Sequence, residues 1–505
     1  MKSIRSAIII FLSILLLIIC LKSVHAQGNQ SDTTGPDPNE FLNQSDTTGP
    51  DSPGFLNQSD TAGSNPDSSI NQDPNFLGGN GEFRVDREAF ENRLEIAGID
   101  EAVDLFEEAQ AVEFGQYLGL SLFGELASIQ EISQTLDNLY RQVGKKAAIV
   151  YVVSLKEKLQ LLLILPNNQP VRQVIPDANR NLVRKVATEL RSDLTSAMQS
   201  SKYRYSAQQL YRWIITPLES ALQANQIDSL IFSMDSGLRS IPIAALYDGK
   251  QFLVEKYSVS IIPSFSLTDT RYFPIFNKPM LAVGISESTQ GQIPLPGVAV
   301  EVLTLANRLW SGQKLLNEQS TIDNFKEVNR RKYFGIIHIA THAEFKPGTL
   351  HNSYIQFWNE KLRFDQLRQL SKTLGWQNDP KVELLVLSAC RTALGDAQAE
   401  LGFAGLALQA GVKTALGSLW AVSDEGSLAL MTKFYESLKT VPFKSEALQQ
   451  AQLGMLKGQI RIENGKLRLD EQNLLPLPLK LAELGNVNLS HPYYWSAFTV
   501  IGNWN

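Results

Sequence analysis

The stretch Glu383 to Gly395, ELLVLSACRTALG, decides the fold. Its first half, through Leu387, is nearly continuous apolar sequence without polar alternation, which suits a strand covered on both faces in a parallel sheet. The small residues Ser388 and Ala389 follow, and then Cys390, the only cysteine beyond the first 26 residues. Ligand sites in open α/β sheets form in the crevice beyond the carboxyl ends of the strands, so Cys390 is expected at such an end.

A second apolar run lies upstream in Phe334 to His342, FGIIHIATH. If the two runs are neighbouring parallel strands, His342 and Cys390 emerge at one edge. A thiol needs an adjacent base or cation to supply the thiolate, so this pairing is the minimum for covalent catalysis. Their separation of 48 residues leaves room for a crossover connection. The bland reading stands beside this one, because a lone cysteine is also a common buried, inert core residue.

Outward from this pair, strands and helices largely alternate. In the second block we expect strands over 280–285, 336–340, 383–387 and 414–420, helices over 297–310, 365–370, 402–410, 427–438 and 445–457, and a terminal run over 497–501. An earlier block carries strands over 148–154, 159–165 and 227–234, helices over 179–200 and 206–224, and further apolar runs over 243–246 and 252–263. The blocks either share one sheet or form two. Residues 84–140 place Leu105, Phe106, Ala109 and Val112, then Leu126, Ile129, Ile132 and Leu136, at helical spacing.

The amino terminus reads differently. Lys2 and Arg5 precede the apolar run Ala7 to Leu21, which ends near Val24-His25-Ala26, the pattern of a secretory signal peptide. The run is short of the roughly 20 residues that span a bilayer, with an uncleaved anchor as the alternative. Ile19 argues against lipidation of Cys20. From Asn29 a 14-residue repeat follows, NQSDTTGPDPNEFL, NQSDTTGPDSPGFL and NQSDTAGSNPDSSI, then a truncated copy. Such polar units bury too little to offset the entropy of ordering, so residues 27–83 read as a disordered acidic spacer.

The 505-residue chain carries 46 Lys and Arg against 52 Asp and Glu. Without Lys2, Arg5 and Lys22 of the leader, and without the nine acidic residues of 27–83, the body balances at 43 against 43. A neutral body with no basic stripe excludes an electrostatic footprint for nucleic acid. His338 lies four residues before His342, but the segment reads as a strand and lacks the Glu of a zinc-binding His-Glu-x-x-His helix, so His338 is expected in the core and no metal is expected. His351, in the loop 346–353, is placed to border the cleft, and His491 precedes Pro492 near the terminus. The small-residue helix Gly402 to Gly411 lacks the Gly-Lys-Ser/Thr of a phosphate loop.

The segments IIHIATHAEF, LLVLSACRTALGD, TALGSLWAVSDEGS with FYESL, and HPYYWSAFTVIGNW together resemble the CHAT domain of the caspase-like cysteine peptidases, relatives of caspases and separases. The resemblance covers about 205–505 well and 84–204 more loosely. It implies an α/β, caspase-haemoglobinase-like fold, a mainly parallel sheet flanked by helices. Residues 141–277 would then be a degenerate pseudo-caspase half before the catalytic half 278–505. It also implies that His342 is the base, Cys390 the nucleophile, and the backbone N–H groups of Ala343 and Cys390 the oxyanion donors. The spacing is close to the roughly 50 residues by which histidine precedes cysteine in caspases.

Two departures bear on specificity. Caspases place Gly after the histidine where this chain has Ala343, and Gln-Ala-Cys where it has Ser388-Ala389-Cys390, so Ser388 in the pocket floor offers no countercharge to a substrate aspartate. Trp420 to Asp424 matches a Trp-x-Val-x-Asp stretch of separases and many CHAT domains. Asp424, with Trp420 beside it, is expected to line the pocket and favour Arg or Lys before the scissile bond, or else to cap the helix near Ser427. The expected activity is an exported cysteine endopeptidase, periplasmic or extracellular, acting on protein or peptide substrates without a cofactor. A non-catalytic interaction module, and a cysteine hydrolase acting on another acyl group, are the alternatives. The sequence fixes no oligomeric state.

Overall fold

The computed structural model describes residues 85–122, 124–196, 200–379, 381–392 and 396–505, and for residues 389–392 it describes the backbone alone. The leader and the acidic repeats expected over 1–26 and 27–83 lie outside the described residues, as does the thiol of Cys390.

Among the described residues three helices come first: α1 (Arg87–Ile96), α2 (Ile99–Leu118) and α3 (Ile129–Val143). Their ends follow from local chemistry. The side chain of Asp86 accepts from the N–H groups of Glu88 and Ala89, and Ser128 with Glu131 forms a reciprocal capping box at α3. Gly119 and Gly144 close α2 and α3 with φ of 62° and 74°, a left-handed conformation that disfavours a Cβ.

The first α/β block holds β1 (Ala147–Ser154), β2 (Leu159–Ile164), β3 (Val171–Ile175), α4 (Arg180–Thr195), α5 (Tyr203–Ile214), β4 (Ser229–Met234) and β5 (Ser258–Ile262). The second holds β6 (Met280–Gly284), α6 (Pro296–Thr304), β7 (Gly312–Leu316), α7 (Ile322–Arg331), β8 (Ile336–Phe345), β9 (Tyr354–Gln356) and β10 (Lys361–Arg363). It continues with α8 (Phe364–Thr373), β11 (Leu384–Thr392), α9 (Ala397–Ala404), β12 (Thr414–Ser418), α10 (Asp424–Ser437), α11 (Lys444–Leu456) and β13 (Phe498–Gly502). Between α11 and β13, residues 461–488 form a separate small antiparallel sheet.

The two blocks share one sheet. Its path runs β7-β6-β8-β11-β12-β13-β5-β4-β1-β2-β3, and the hairpin β9–β10 extends from the upper edge of β8. The junction is the parallel pairing of β13 with β5, Val500 against Ser260 and Ile501 against Ile261. Pairing is parallel through β6, β8, β11 and β12 and again through β13, β5, β4 and β1, while β13 is antiparallel to β12 and the edge strands β2 and β3 are antiparallel to their neighbours. The fold is therefore α/β, with a mainly parallel sheet between helices.

Two-residue periodicity explains why the strand runs are apolar throughout. Along β1, Ile149, Tyr151 and Val153 pack under α1, α2 and α3 with Phe90, Leu94, Phe106 and Ile132. Ala148, Val150 and Val152 face the other way, into a core with Val183, Leu190 and Tyr211 of α4 and α5. The helical segment 85–143 thus supplies the cover for one face of the first block. Among the described residues no helix is long and apolar enough to cross a membrane.

Candidate active site

β8 and β11 are each longer than their apolar cores suggest. The sequence reading stops them at Ala340 and Leu387, but the strands continue to Phe345 and Thr392. The cause is mutual pairing: buried N–H and C=O groups need partners, and here each strand supplies them to the other. β6 leaves β8 at Gly284↔Ala340 and β12 leaves β11 at Val386↔Leu416, whereas the β8–β11 ladder runs on to Thr392↔Phe345. Hairpin strand β9 takes the vacated edge of β8 at Ala343↔Ile355. Cys390 therefore lies inside a strand rather than beyond its end, with the opposite edge of β11 unpaired past Val386 among the described residues.

A bulge sets the level of the two residues. Below it Leu384 lies beside Ile336, an offset of 48 that would bring Cys390 level with His342. Between Leu387 and Ala389, however, β8 advances three residues while β11 advances two. His342 is consequently level with Ala389, and Cys390 with Ala343. One strand spacing and one residue step put the Cα atoms of His342 and Cys390 about 6 Å apart. Both sit at the carboxyl rim of the parallel strands.

The His342 ring is partly exposed, and its Nε2 lies 2.8 Å from the carbonyl oxygen of Ile293. A carbonyl only accepts, so Nε2 carries the proton, and in the neutral ring Nδ1 keeps the lone pair. Ala343 is 2% exposed, and its backbone is flanked by Cys390 on one edge and Ile355 on the other. Ser388 and Trp420 are also buried beneath the rim, at 2% and 4% exposure. Trp420 donates from Nε1 to the carbonyl of Tyr493 at 3.0 Å, and the Tyr493 hydroxyl donates back to the carbonyl of Ala421 at 2.9 Å. The C-terminal His-Pro-Tyr-Tyr-Trp segment thereby clamps the turn that carries Asp424.

Asp424 is not the cap of α10. Ser423 takes that position and accepts from the N–H of Gly426, leaving Asp424 as the first helical residue. Its carboxylate instead accepts the N–H of Gly297 at 2.5 Å, at the start of α6 and 127 residues away. A Cβ on Gly297 would stand 2.7 Å from Oδ1 of Asp424, so only glycine permits this approach. Burial pushes the Asp424 carboxyl up to about 7; the Gly297 bond opposes the shift, while the neighbouring Glu301 and Glu425 add to it.

His338 is fully buried, with Nε2 2.8 Å from Glu301 and Nδ1 3.1 Å from the hydroxyl of Tyr435. It is a satisfied core residue, as its place in the apolar run suggests. His351 bonds Asp365 at 2.9 Å, and His491 caps the short helix Pro492–Trp495. Among the described residues no group of three or more His, Cys, Asp or Glu is disposed to hold a metal ion.

The parallel trio β1, β4 and β5 repeats the arrangement of β8, β11 and β12, and its rim is filled by an ion pair. Asp235, following β4, accepts from Arg87 at 2.8 and 3.0 Å and from the N–H and hydroxyl of Ser154 at 3.0 and 3.1 Å. Burial raises this carboxyl, but Arg87, with help from Arg239, outweighs burial and holds it below the usual range. A further buried link joins the blocks. Arg191 of α4 donates to Ser240 at 2.6 Å and stands 3.5 Å from Glu400 of α9, the helix that follows the Cys390 segment, and the Ser240 hydroxyl donates to Glu400.

Ile293, Gly297, Glu301 and Glu400 escaped sequence reasoning. The Pro-Leu-Pro-Gly run 294–297, rigid and ending in glycine, was the signal available for the first two.

No curated protein sequence matches this chain. Among solved structures it is similar to a chain of the Saccharomyces cerevisiae separase–securin complex, at 9% identity and a TM-score of 0.43, over 79% of this chain and 34% of that one. It thus spans about a third of the length of that chain. It is also similar to the complex of Porphyromonas gingivalis RgpB pro- and mature domains, at 9% identity and a TM-score of 0.34, over 64% of this chain and 75% of that one. For the Arg-specific cysteine proteinase gingipain R the values are 10% and 0.32, over 64% and 74%. The CHAT domain model matches residues 204–503, well over half of the 505-residue sequence. This protein belongs to the CHAT domain family.

Proposed function

We propose that the chain is an exported cysteine endopeptidase in which His342 is the base and Cys390 the nucleophile. The observation that supports this most is the rim itself: two adjacent parallel strands carry these residues about 6 Å apart, and the bond to Ile293 leaves Nδ1 of His342 as the ring nitrogen able to take a proton.

Nδ1 removes the thiol proton of Cys390, and the thiolate attacks the carbonyl carbon of a peptide bond. As the C–S bond forms, the carbonyl electrons move to oxygen, which the N–H groups of Ala343 and Cys390 stabilise. His342 returns its proton to the departing amine, and a thioester remains on Cys390. Water then attacks that thioester, giving its proton to His342, and the acid leaves as the thiol reforms. Ionised Asp424 selects Arg or Lys before the scissile bond because a carboxylate shielded from water pairs most strongly with a cation. Ser388 and Trp420 form the floor beneath it. The leader directs export to the periplasm or beyond the cell, and the acidic repeats act as a spacer. The ion-paired rim of the first block fits a degenerate counterpart with no nucleophile.

One observation favours a non-catalytic interaction module instead. Ala343 is flanked on both edges, so its N–H reaches a substrate only once the ladder parts at that level. Incubation of the full chain with an unfolded protein, with cleavage sites mapped by mass spectrometry, separates the readings. The peptidase gives cuts after Arg or Lys that vanish in Cys390→Ala. No cuts by the native chain support the module, and cuts that persist in that variant contradict Cys390 as the nucleophile.

A further inference from the structure

The segment Ile293-Pro294-Leu295-Pro296-Gly297 touches two residues of the proposed machinery at once. Its first residue gives a carbonyl to Nε2 of His342 at 2.8 Å, and its last gives an N–H to the carboxylate of Asp424 at 2.5 Å. Proline fixes φ near −65°, and the residue before each proline is confined to extended backbone. Four of the five residues are therefore restricted, and the fifth, Gly297, is the one pressed against Asp424. Leu295 is pinned by its N–H to the carbonyl of Ser286 at 2.9 Å, and Pro296 opens α6. Helix α6 is in turn held from below by Glu301 on His338, four residues before His342 on β8. The outer end is different: Ile293 is 70% exposed, so little packing resists its movement.

A segment this stiff does not absorb a displacement locally. A shift of Gly297 is carried over roughly 13 Å of chain to the carbonyl on His342. We propose that Ile293–Gly297 is a strap that couples occupancy of the Asp424 carboxylate to the orientation of the His342 ring, with Ile293 and Gly297 as positioning residues. The inference rests on the reading of His342 as base and Asp424 as pocket carboxylate.

The strap acts through charge. An ionised Asp424 holds the Gly297 N–H more tightly than a protonated one, because hydrogen bonds to a charged acceptor are about twice as strong. A substrate cation that keeps Asp424 ionised thereby seats Ile293 on Nε2 and presents Nδ1 to the nucleophile. Substrate choice and base orientation then become one event. Glu301 of α6 and Glu425 of α10 are the other charged groups acting on Asp424, and both favour its protonation. In the substrate-free chain the strap is accordingly seated at pH 8 and loosened at pH 6.

The test is spectroscopic and does not depend on turnover. In the full chain labelled with 15N-histidine, one of five His rings is assigned through His342→Ala. A seated Nε2–H exchanges slowly with water and gives a persistent ring-proton resonance. The proposal predicts that resonance at pH 8, its weakening towards pH 6, and its loss in Gly297→Ala at both, with iodoacetamide alkylation of Cys390 slowed at least about threefold, some 0.7 kcal/mol. If Gly297→Ala does not fold, Asp424→Asn serves, since its amide oxygen still accepts from Gly297; the resonance should then weaken less between pH 8 and pH 6 than in the native chain, because only the response of the imidazole itself is left. A His342 resonance unchanged in folded Gly297→Ala, or a pH response identical in the native chain and Asp424→Asn, overturns the strap. Alkylation of Cys390 that ignores His342→Ala overturns the reading beneath it instead.

Discussion

Replacing Asp424 by Asn should stabilise the fold while weakening the proposed activity. The Asp424 carboxyl is pushed up to about 7, mainly by burial, whereas in the unfolded chain it titrates near 4. Between those values the native state binds more protons than the unfolded state, so stability falls as pH rises from about 4 to 7. Above pH 7 the native chain carries the full cost of an ionised carboxylate shielded from water. Three pKa units correspond to about 4 kcal/mol, and partial exposure of Asp424 reduces this to roughly 1–2 kcal/mol. Asp424→Asn keeps the acceptor for Gly297 and removes the charge, so at pH 8 it should gain about that much, shrinking to a fraction near pH 5. Denaturant unfolding at the two pH values measures it. Activity should move the other way. The ionised fraction drops from about 0.9 at pH 8 to about 0.1 at pH 6, so the preference for Arg or Lys over Leu before the scissile bond should fall roughly tenfold in the native chain. The variant should show no such preference at either pH. An Asp424→Asn chain that is less stable at pH 8, or that keeps the basic preference, refutes both the buried charge and the pocket built on it.

The other perturbations concern what holds the rim in place. His338→Ala strands the buried Glu301 carboxylate and the Tyr435 hydroxyl beneath the strap, and should cost about 2–4 kcal/mol by denaturant unfolding; a loss under about 1 kcal/mol contradicts the role given to that pair. Glu400→Ala leaves Arg191 charged and unpaired between the two blocks, and should cost about 3–5 kcal/mol. Near-neutrality by the same measurement shows that Arg191 finds another partner. Because Glu400 sits on the helix after Cys390, hydrogen exchange in the variant should rise over 384–404 before it rises in β1 or β4.

Much of the centre of this fold is written locally. Leu384–Leu387 is apolar on every residue, and Ile336–Ala340 on every residue but the buried His338, because helices cover both faces of the sheet, and a run of that kind has few other interpretations. The candidate pair stands out for the same reason: His342 and Cys390 follow those runs by two and three residues. What escaped is what depends on distant partners. β3, reading Val-Arg-Gln-Val-Ile, is a half-exposed edge strand that pairs only with β2 and lacks an apolar signature. β9 and β10 are three residues each, too short for any period to show. The helix expected over 206–224 breaks near Pro217, and the one expected over 297–310 gives way after Thr304 to a wider turn over Leu305–Leu309. The bulge in β8 has no sequence mark, yet it moves His342 from the level of Cys390 to that of Ala389. In sequence Asp424 fits a pocket or a cap equally, because its partner, Gly297, is 127 residues away. A Pro-Leu-Pro-Gly run announces stiffness but not what it will touch.

The account depends on His342 acting on Cys390 across the β8–β11 rim. The rate of iodoacetamide alkylation at Cys390 between pH 5.5 and 8, in the native full chain and in His342→Ala, with Cys390→Ala locating the label, tests that most directly. The account predicts a thiolate already present below pH 7 in the native chain, and a rate at pH 6.5 at least about tenfold lower without the imidazole, as a free thiol titrates near 8.5. Equal rates in the two chains, or a native cysteine that reacts only as an ordinary thiol, contradict it.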